Sequence, residues 1–194
     1  MNFKKPYSFN ERLTKLSKIL AGIFASMIVG DLIAESIFWI FADLKTQTLF
    51  SVPRSVIGIG SSFPDVQILG EITPLMRFLG WVASFISTSI WMYIYYHMST
   101  LFLSFSKGYV FTFSNIACIR KSSKALIIYA FATVLTNSLL GLVLTMNNPI
   151  GQRILTISFG TPNLTNILMA LVIMVCAYIM EEGLRLEEEK QLTI

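Results

Sequence analysis

The sequence predicts an all-α integral membrane protein, a four-transmembrane-helix bundle, on three observations. Only 13% of its 194 residues are charged and 54% are hydrophobic, whereas an ordinary soluble domain carries about 25% charged residues. The mean hydropathy is +0.66. Four apolar runs, at about 19–41, 78–103, 125–146 and 164–180, reach or approach the roughly 20 residues that a spanning helix needs. None shows the period-two alternation of a barrel strand. Only helices and closed barrels satisfy their backbone polar groups in lipid, so the runs read as helices of a single membrane domain, residues 1–194.

The first run follows Lys4, Lys5, Arg12, Lys15 and Lys18 and so resembles a signal peptide at first sight. It is longer than the roughly 7–15 residues of a signal core, and no A-x-A-like cleavage site follows. It is expected to be a retained helix. Before it, Phe9, Leu13, Leu16 and Leu20 share one helical face, with Arg12, Lys15 and Lys18 elsewhere, an amphipathic N-terminal lead-in suited to the headgroup region. Between spans lie an outer connection at 42–77, broken by Pro53, Gly58, Gly60, Pro64, Gly70 and Pro74, and an inner connection at 104–124. A second outer connection covers 147–163, and a charged helical tail covers 181–194.

Charge sets the expected orientation. Lys107, Arg120, Lys121, Lys124, Arg185 and Lys190 fall on the same side as the five N-terminal cations, while Lys45, Arg54, Arg77 and Arg153 fall on the other. By the positive-inside rule both termini and the 104–124 connection are cytoplasmic. The net charge of +4 then reflects topology and the lipid bilayer as partner, with no direct nucleic-acid binding expected. Cys118 and Cys176 form no C-x-x-C pair, so neither a disulfide nor a metal site is expected, and no cofactor is implied.

Two acids interrupt the first span in "IVGDLIAESIFWIF": Asp31 near the midplane and Glu35 nearer its outer end. Four residues apart, they share a face, and an ionised carboxylate facing lipid at that depth costs at least about 2.5–3.5 kcal/mol. They should therefore face the interior. At the same level stand Ser84, Ser87 and Thr88 of the second span and Thr133, Thr136 and Asn137 of the third. Together these form a candidate intramembrane polar cluster, with protonated Asp31 donating to Asn137 or a hydroxyl and Glu35 pairing with Arg77. Either such a cluster fixes helix register as interhelical glue, or Asp31 binds a proton, ion or small cation. The only histidine, His97, lies too far toward the cytoplasmic end to join it and reads as a belt residue beside Tyr93, Tyr95 and Tyr96. Trp39 and Trp81 read as belt residues at the outer end. No H-E-x-x-H, G-x-S-x-G or glycine-rich phosphate loop is present, so no catalytic residues are assigned and an enzyme is not expected. Gly22, Ser26, Gly30 and Ala34 recur every four residues on the first span. Such a stripe suits packing within the chain, with a homodimer through Gly22, Ser26 and Gly30 as the alternative.

Two cytoplasmic stretches carry more specific patterns. "FSKGYVFTFSNIACIRKSSK" places Gly108, Phe111, Phe113 and Asn115 before a basic cluster of Arg120, Lys121 and Lys124. "EEGLRLEEEKQLTI" sets Gly183, Leu184, Leu186, Leu192 and Ile194 among five glutamates, Glu189 included. The spacings Gly108, Phe111, Asn115 and Gly183, Leu186, Glu189, Leu192, Thr193, Ile194 resemble the inner and C-terminal motifs of a family of bacterial membrane proteins, domain of unknown function 2975. The resemblance implies a four-helix bacterial membrane protein, and with the charge asymmetry the expected location is the bacterial cytoplasmic (inner) membrane, multi-pass, with both termini cytoplasmic. It also implies a small helix-turn-helix regulator as partner, because genes of the family often lie beside one. The expected function is that of a membrane-bound sensor or inhibitor of such a regulator, docked on Gly108, Phe111, Phe113, Asn115, Arg120, Gly183, Leu186, Glu189 and Leu192. The alternative is a small transporter or ion-conducting bundle using the midplane acid.

Overall fold

The computed structural model describes residues 11–45, 48–49, 52–53, 66–155 and 157–192. Its architecture is the all-α four-helix class that hydropathy predicts, with α1 at Glu11–Phe41, α2 at Pro74–Ser106, α3 at Phe113–Thr145 and α4 at Thr161–Leu192. All four are long and apolar enough to cross a membrane. At 1.5 Å per residue each is about 46–50 Å long, more than the roughly 30 Å hydrocarbon core. Each helix therefore overruns the apolar run that predicted it, and the lead-in from Glu11 onward is continuous with the first span. Phe9 lies outside the described residues, as do most of the outer connection and, at the C-terminus, Thr193 and Ile194. Within that connection a short antiparallel ribbon forms, β1 at Thr48–Leu49 and β2 at Val52–Pro53, with Thr48 opposite Pro53.

The described residues divide into two compact units, to which every long helix contributes. The first comprises the described parts of Met1–Ile28, Tyr93–Ile127 and Thr165–Ile194. Here α1 meets α2 where Phe24 stacks on Phe102 at 5.7 Å and Ser99 Oγ donates to the Ala21 carbonyl at 3.0 Å. Helix α3 meets α4 through Ile116, Ala177 and Leu184, and through Ser123 Oγ donating to the Ala170 carbonyl at 2.6 Å. Alanine at 21, 170 and 177 lets these backbones come close. The Gly22, Ser26 and Gly30 stripe takes no part in this packing. All three residues are exposed, and a Cβ built on either glycine would meet open space, so the expectation of packing within the chain is corrected for these three, while Ala34, the fourth of the stripe, is half-buried.

The second unit, Val29–Met92 and Ile128–Leu164, holds the larger apolar core: Phe38, Trp39, Leu44, Met76, Ala83, Leu140 and Leu144, with Val66 and Ile68. Val66 and Ile68 belong to the end of the outer connection, whose residues 66–69 alternate buried and exposed as an extended segment does. One side chain fastens this segment down. Asn148 is buried, and its Oδ1 accepts from the amides of Leu69 at 2.9 Å and Gly70 at 3.0 Å, while Nδ2 donates to the carbonyls of Gln67 at 2.9 Å and Gln152 at 3.2 Å. Two acceptances and two donations satisfy a carboxamide completely. Gly70 is required beside it, since a Cβ there would collide with the Asn147 backbone.

Substituting Asn148→Ala leaves two part-buried amides without acceptors, at about 1–3 kcal/mol for each buried group left unmade. Hydrogen exchange at Leu69 and Gly70 should accelerate strongly while the middle of α2 keeps its protection. Equal protection in the variant would show that the carboxamide does not hold the segment.

Candidate functional site

The polar residues predicted to cluster lie in the second unit, and Ser84, Ser87, Thr133 and Thr136 make hydrogen bonds that cross from helix to helix. Glu35 on α1 is 1% exposed, and one turn along the same face Trp39 is 2% exposed. The Trp39 indole, which can only donate, sends Nε1–H to Glu35 Oε1 at 2.9 Å and to Ser84 Oγ of α2 at 3.2 Å. Thus α1 is tied to α2. Gly80, one turn before Ser84, leaves room for the ring, because a Cβ at that position would run into the Trp39 six-membered ring. Ser87 Oγ donates to Thr136 Oγ1 at 2.7 Å, tying α2 to α3, and both side chains are fully buried. A third link joins α3 to the first turn of α4, where Asn163 Nδ2 donates to Thr133 Oγ1 at 2.9 Å and to the Ala130 carbonyl. Thr88 is buried and donates to the Ser84 carbonyl of its own helix at 3.2 Å.

Asp31 is half-buried and engaged, and Asn137 is half-buried with its Oδ1 enclosed and lacking a hydrogen-bond partner. No proton from Asp31 reaches that oxygen. On α3 Asn137 follows Thr133 by four residues and so shares its general face, but its oxygen meets no donor among the described residues. Arg77 reaches α1 through its main chain, with Nη1 donating to the carbonyls of Trp39 at 2.8 Å, Ile40 at 3.3 Å and Ala42 at 3.1 Å. A cation there complements the negative end of the helix dipole. The indole takes up the Glu35 position expected for Arg77. Trp39, Gly80 and Asn163 escaped the sequence reading. The first stood four residues from Glu35, a spacing that signals contact, but was assigned to the interfacial belt by its nearness to the end of the run.

The second predicted set lies in the first unit. Helix α2 ends on Gly108, whose φ of 83° suits only a residue without a Cβ. The Tyr109 amide bonds the Ser104 carbonyl at 3.2 Å and the Gly108 amide the Phe105 carbonyl at 3.0 Å, a Schellman closure. Thr112 then caps α3, its Oγ1 accepting from the Asn115 amide at 3.3 Å. The buried Asn115 side chain reaches back, Nδ2 donating to the carbonyls of Tyr109 at 2.7 Å and Val110 at 2.9 Å. Gly108 and Asn115 therefore build the turn from inside. Phe111 and Phe113 project from it, exposed, with Lys121 and Lys124 exposed on the following turns.

Arg120 pairs with Glu181 of α4 and lies 5.3 Å from the centroid of the Tyr178 ring. One predicted docking cation is thus already held within the chain. Further along α4, Gly183 and Leu186 are exposed, and Arg185 pairs with Glu182 at 2.9 Å and Glu189 at 3.6 Å. Leu192 ends the helix, and its side chain lies outside the described residues. His97 packs edge-on to Tyr93 at 4.4 Å and Tyr96 at 5.4 Å.

Four long apolar helices tied by internal polar bonds define a multi-pass α-helical membrane protein. The family model described as "Protein of unknown function (DUF2975)" matches residues 27–194, and the chain belongs to that family. Neither a curated protein nor a solved structure matches it.

The Trp39 link is testable by substitution. Trp39→Phe removes the donor while keeping most of the ring, which should destabilise the protein in micelles by roughly 1–3 kcal/mol. Gly80→Ala should cost a similar amount, roughly 1–3 kcal/mol, by overpacking. Trp39→Phe combined with Ser84→Ala should be less than additive in thermal unfolding. Strict additivity would mean that the hydroxyl does not share the indole proton.

Proposed function

We propose that this chain is a non-catalytic membrane-bound sensor or inhibitor that holds a small cytoplasmic helix-turn-helix regulator. The observation that carries the reading is the exposure of Phe111 and Phe113 on a turn locked by Gly108 and Asn115. Aromatic side chains held in place lose little entropy on binding and are common interface anchors. Exposed Lys121 and Lys124 and the exposed Leu186 and Glu189 of α4 add charge and apolar surface on the same unit. The excess of Lys and Arg in the N-terminal segment, the 104–124 connection and the tail supports cytoplasmic termini in a bacterial inner membrane. Exposure of Gly22, Ser26 and Gly30 supports a homodimer seam as part of the same proposal.

The rival reading, a small transporter or ion-conducting bundle, draws on the burial of Glu35 and the half-buried Asp31 within spanning helices. Against it, Ser84, Ser87, Thr133 and Thr136 are engaged with other protein groups, which favours a role in fixing register over one in lining a pathway.

Two measurements test the proposal. In a background lacking Cys118 and Cys176, a cysteine at Ile150, which is 96% exposed, should react with an impermeant thiol reagent in intact cells, and one at Lys121 should not. The reverse pattern would invert the orientation. Pull-down of the neighbouring regulator by the tagged protein from native membranes should fall roughly tenfold or more in a Phe111→Ala, Phe113→Ala double variant, the loss expected of central anchors. Undiminished capture there, and after deletion of residues 183–194, would remove both surfaces from the function. Asp31-dependent cation flux in proteoliposomes would favour the rival.

A further inference from the structure

A groove of about 450 Å³ opens between the end of α1 and the start of α2, lined by Ser36, Ile40, Pro74, Arg77, Phe78 and Trp81 with Trp39 at its back. Its size falls in the roughly 300–1,000 Å³ range of ligand sites. We propose that it holds an anionic membrane phospholipid, with the phosphate on Arg77 and one acyl chain along Phe78 and Trp81. Nothing in the regulator-holding reading depends on this groove.

Three observations converge on an amphiphile of that charge. The first is the state of Arg77. Among the described residues its partners are three main-chain carbonyls, all bonded by Nη1, and none is a carboxylate. That leaves Nε and Nη2 to an outside acceptor, and a guanidinium presents its remaining donors in the planar fork that matches phosphate oxygens. The nearby acid, Glu35, is held on the buried side by the Trp39 indole.

The second observation is the wall. Phe78, Trp81 and Phe85 stack in sequence along α2, with centroids 6.4 and 5.9 Å apart. At 1.5 Å per residue this ladder runs about 10 Å down the helix from the level of Arg77. A soluble anion has no use for it, whereas an acyl chain lying parallel to the helix axis covers it. The only polar atom of the Trp81 side chain is engaged, Nε1 donating to Ser36 Oγ at 3.3 Å, so the ring offers carbon to the groove. The third is position. The guanidinium sits where two spanning helices end and begin, the depth at which headgroups lie and at which Trp and Arg anchor helices. Ile40 and Phe78, on either lip, are exposed.

Native mass spectrometry of the purified full chain with phosphatidylglycerol or phosphatidylcholine tests the assignment. Wild type should retain phosphatidylglycerol in preference, and Arg77→Gln should reduce that retention at least about fivefold, as loss of a charge-assisted contact requires. Because Arg77 also caps α1, Ile40→Trp provides a second variant. It fills the groove from an exposed position and leaves the guanidinium in place, and it too should abolish the preference. Equal retention of both lipids by wild type would overturn the proposal, as would an undiminished preference in Ile40→Trp, even if Arg77→Gln fails to fold. Displacement of the lipid by millimolar inorganic phosphate as readily as by soluble phosphatidylglycerol would overturn it in favour of a free-anion site.

Discussion

The indole proton of Trp39 is the point on which the second unit turns. A carboxylate enclosed by apolar side chains is tolerated only when something donates to it. Glu35 accepts from a residue on its own helix, four positions on, whose proton is shared with a hydroxyl of the neighbouring helix. That sharing places the largest side chain of the core flat against α2, and the absence of a Cβ at Gly80 makes the approach possible. Phe38, Ala83 and Leu140 pack in the same cluster. One three-centre bond therefore decides the rotamer of the ring, the spacing of two helices and the shape of the core.

The hydroxyls divide into two groups with different consequences. Ser87 and Thr133 link neighbouring helices, and Ser36 joins them by accepting from the Trp81 indole, whereas Thr88 and Thr145 donate to carbonyls one turn back in their own helices. In the second group the hydroxyl proton is satisfied locally. Such back-bonding also bends helices slightly. Counting hydroxyls in a span therefore overstates the number available to hold helices together, and only orientation around the helix separates the two groups.

Much of the fold was legible because membrane insertion reduces the problem to length and apolarity. All four helices and the depth of the polar level can be read from the runs. The motif residues Gly108 and Asn115 were also visible, though their work was not: one takes a left-handed turn, the other bonds the turn's carbonyls. What could not be read was azimuth. The small-residue stripe of Gly22, Ser26 and Gly30 specifies a close-packing face without saying whose backbone fills it, and among the described residues none does. Asn137 and Thr136 are adjacent in sequence and only about 1.5 Å apart in depth, yet Thr136 is bonded across helices and Asn137 leaves an oxygen unmet. Trp39 was misplaced because nearness to a span's end was weighed above its spacing from Glu35.

Asn148 recognises its cargo by main chain alone. Its four bonds go to amides and carbonyls of Gln67, Leu69, Gly70 and Gln152, and none goes to a side chain. The clasp is thus blind to sequence, apart from the bare Cα it demands at Gly70. Side chains at 67 and 69 point away from the core and are exposed, so they can be rewritten without loosening the attachment. A long loop fastened in this way keeps its anchorage constant while its outward surface is free to diversify.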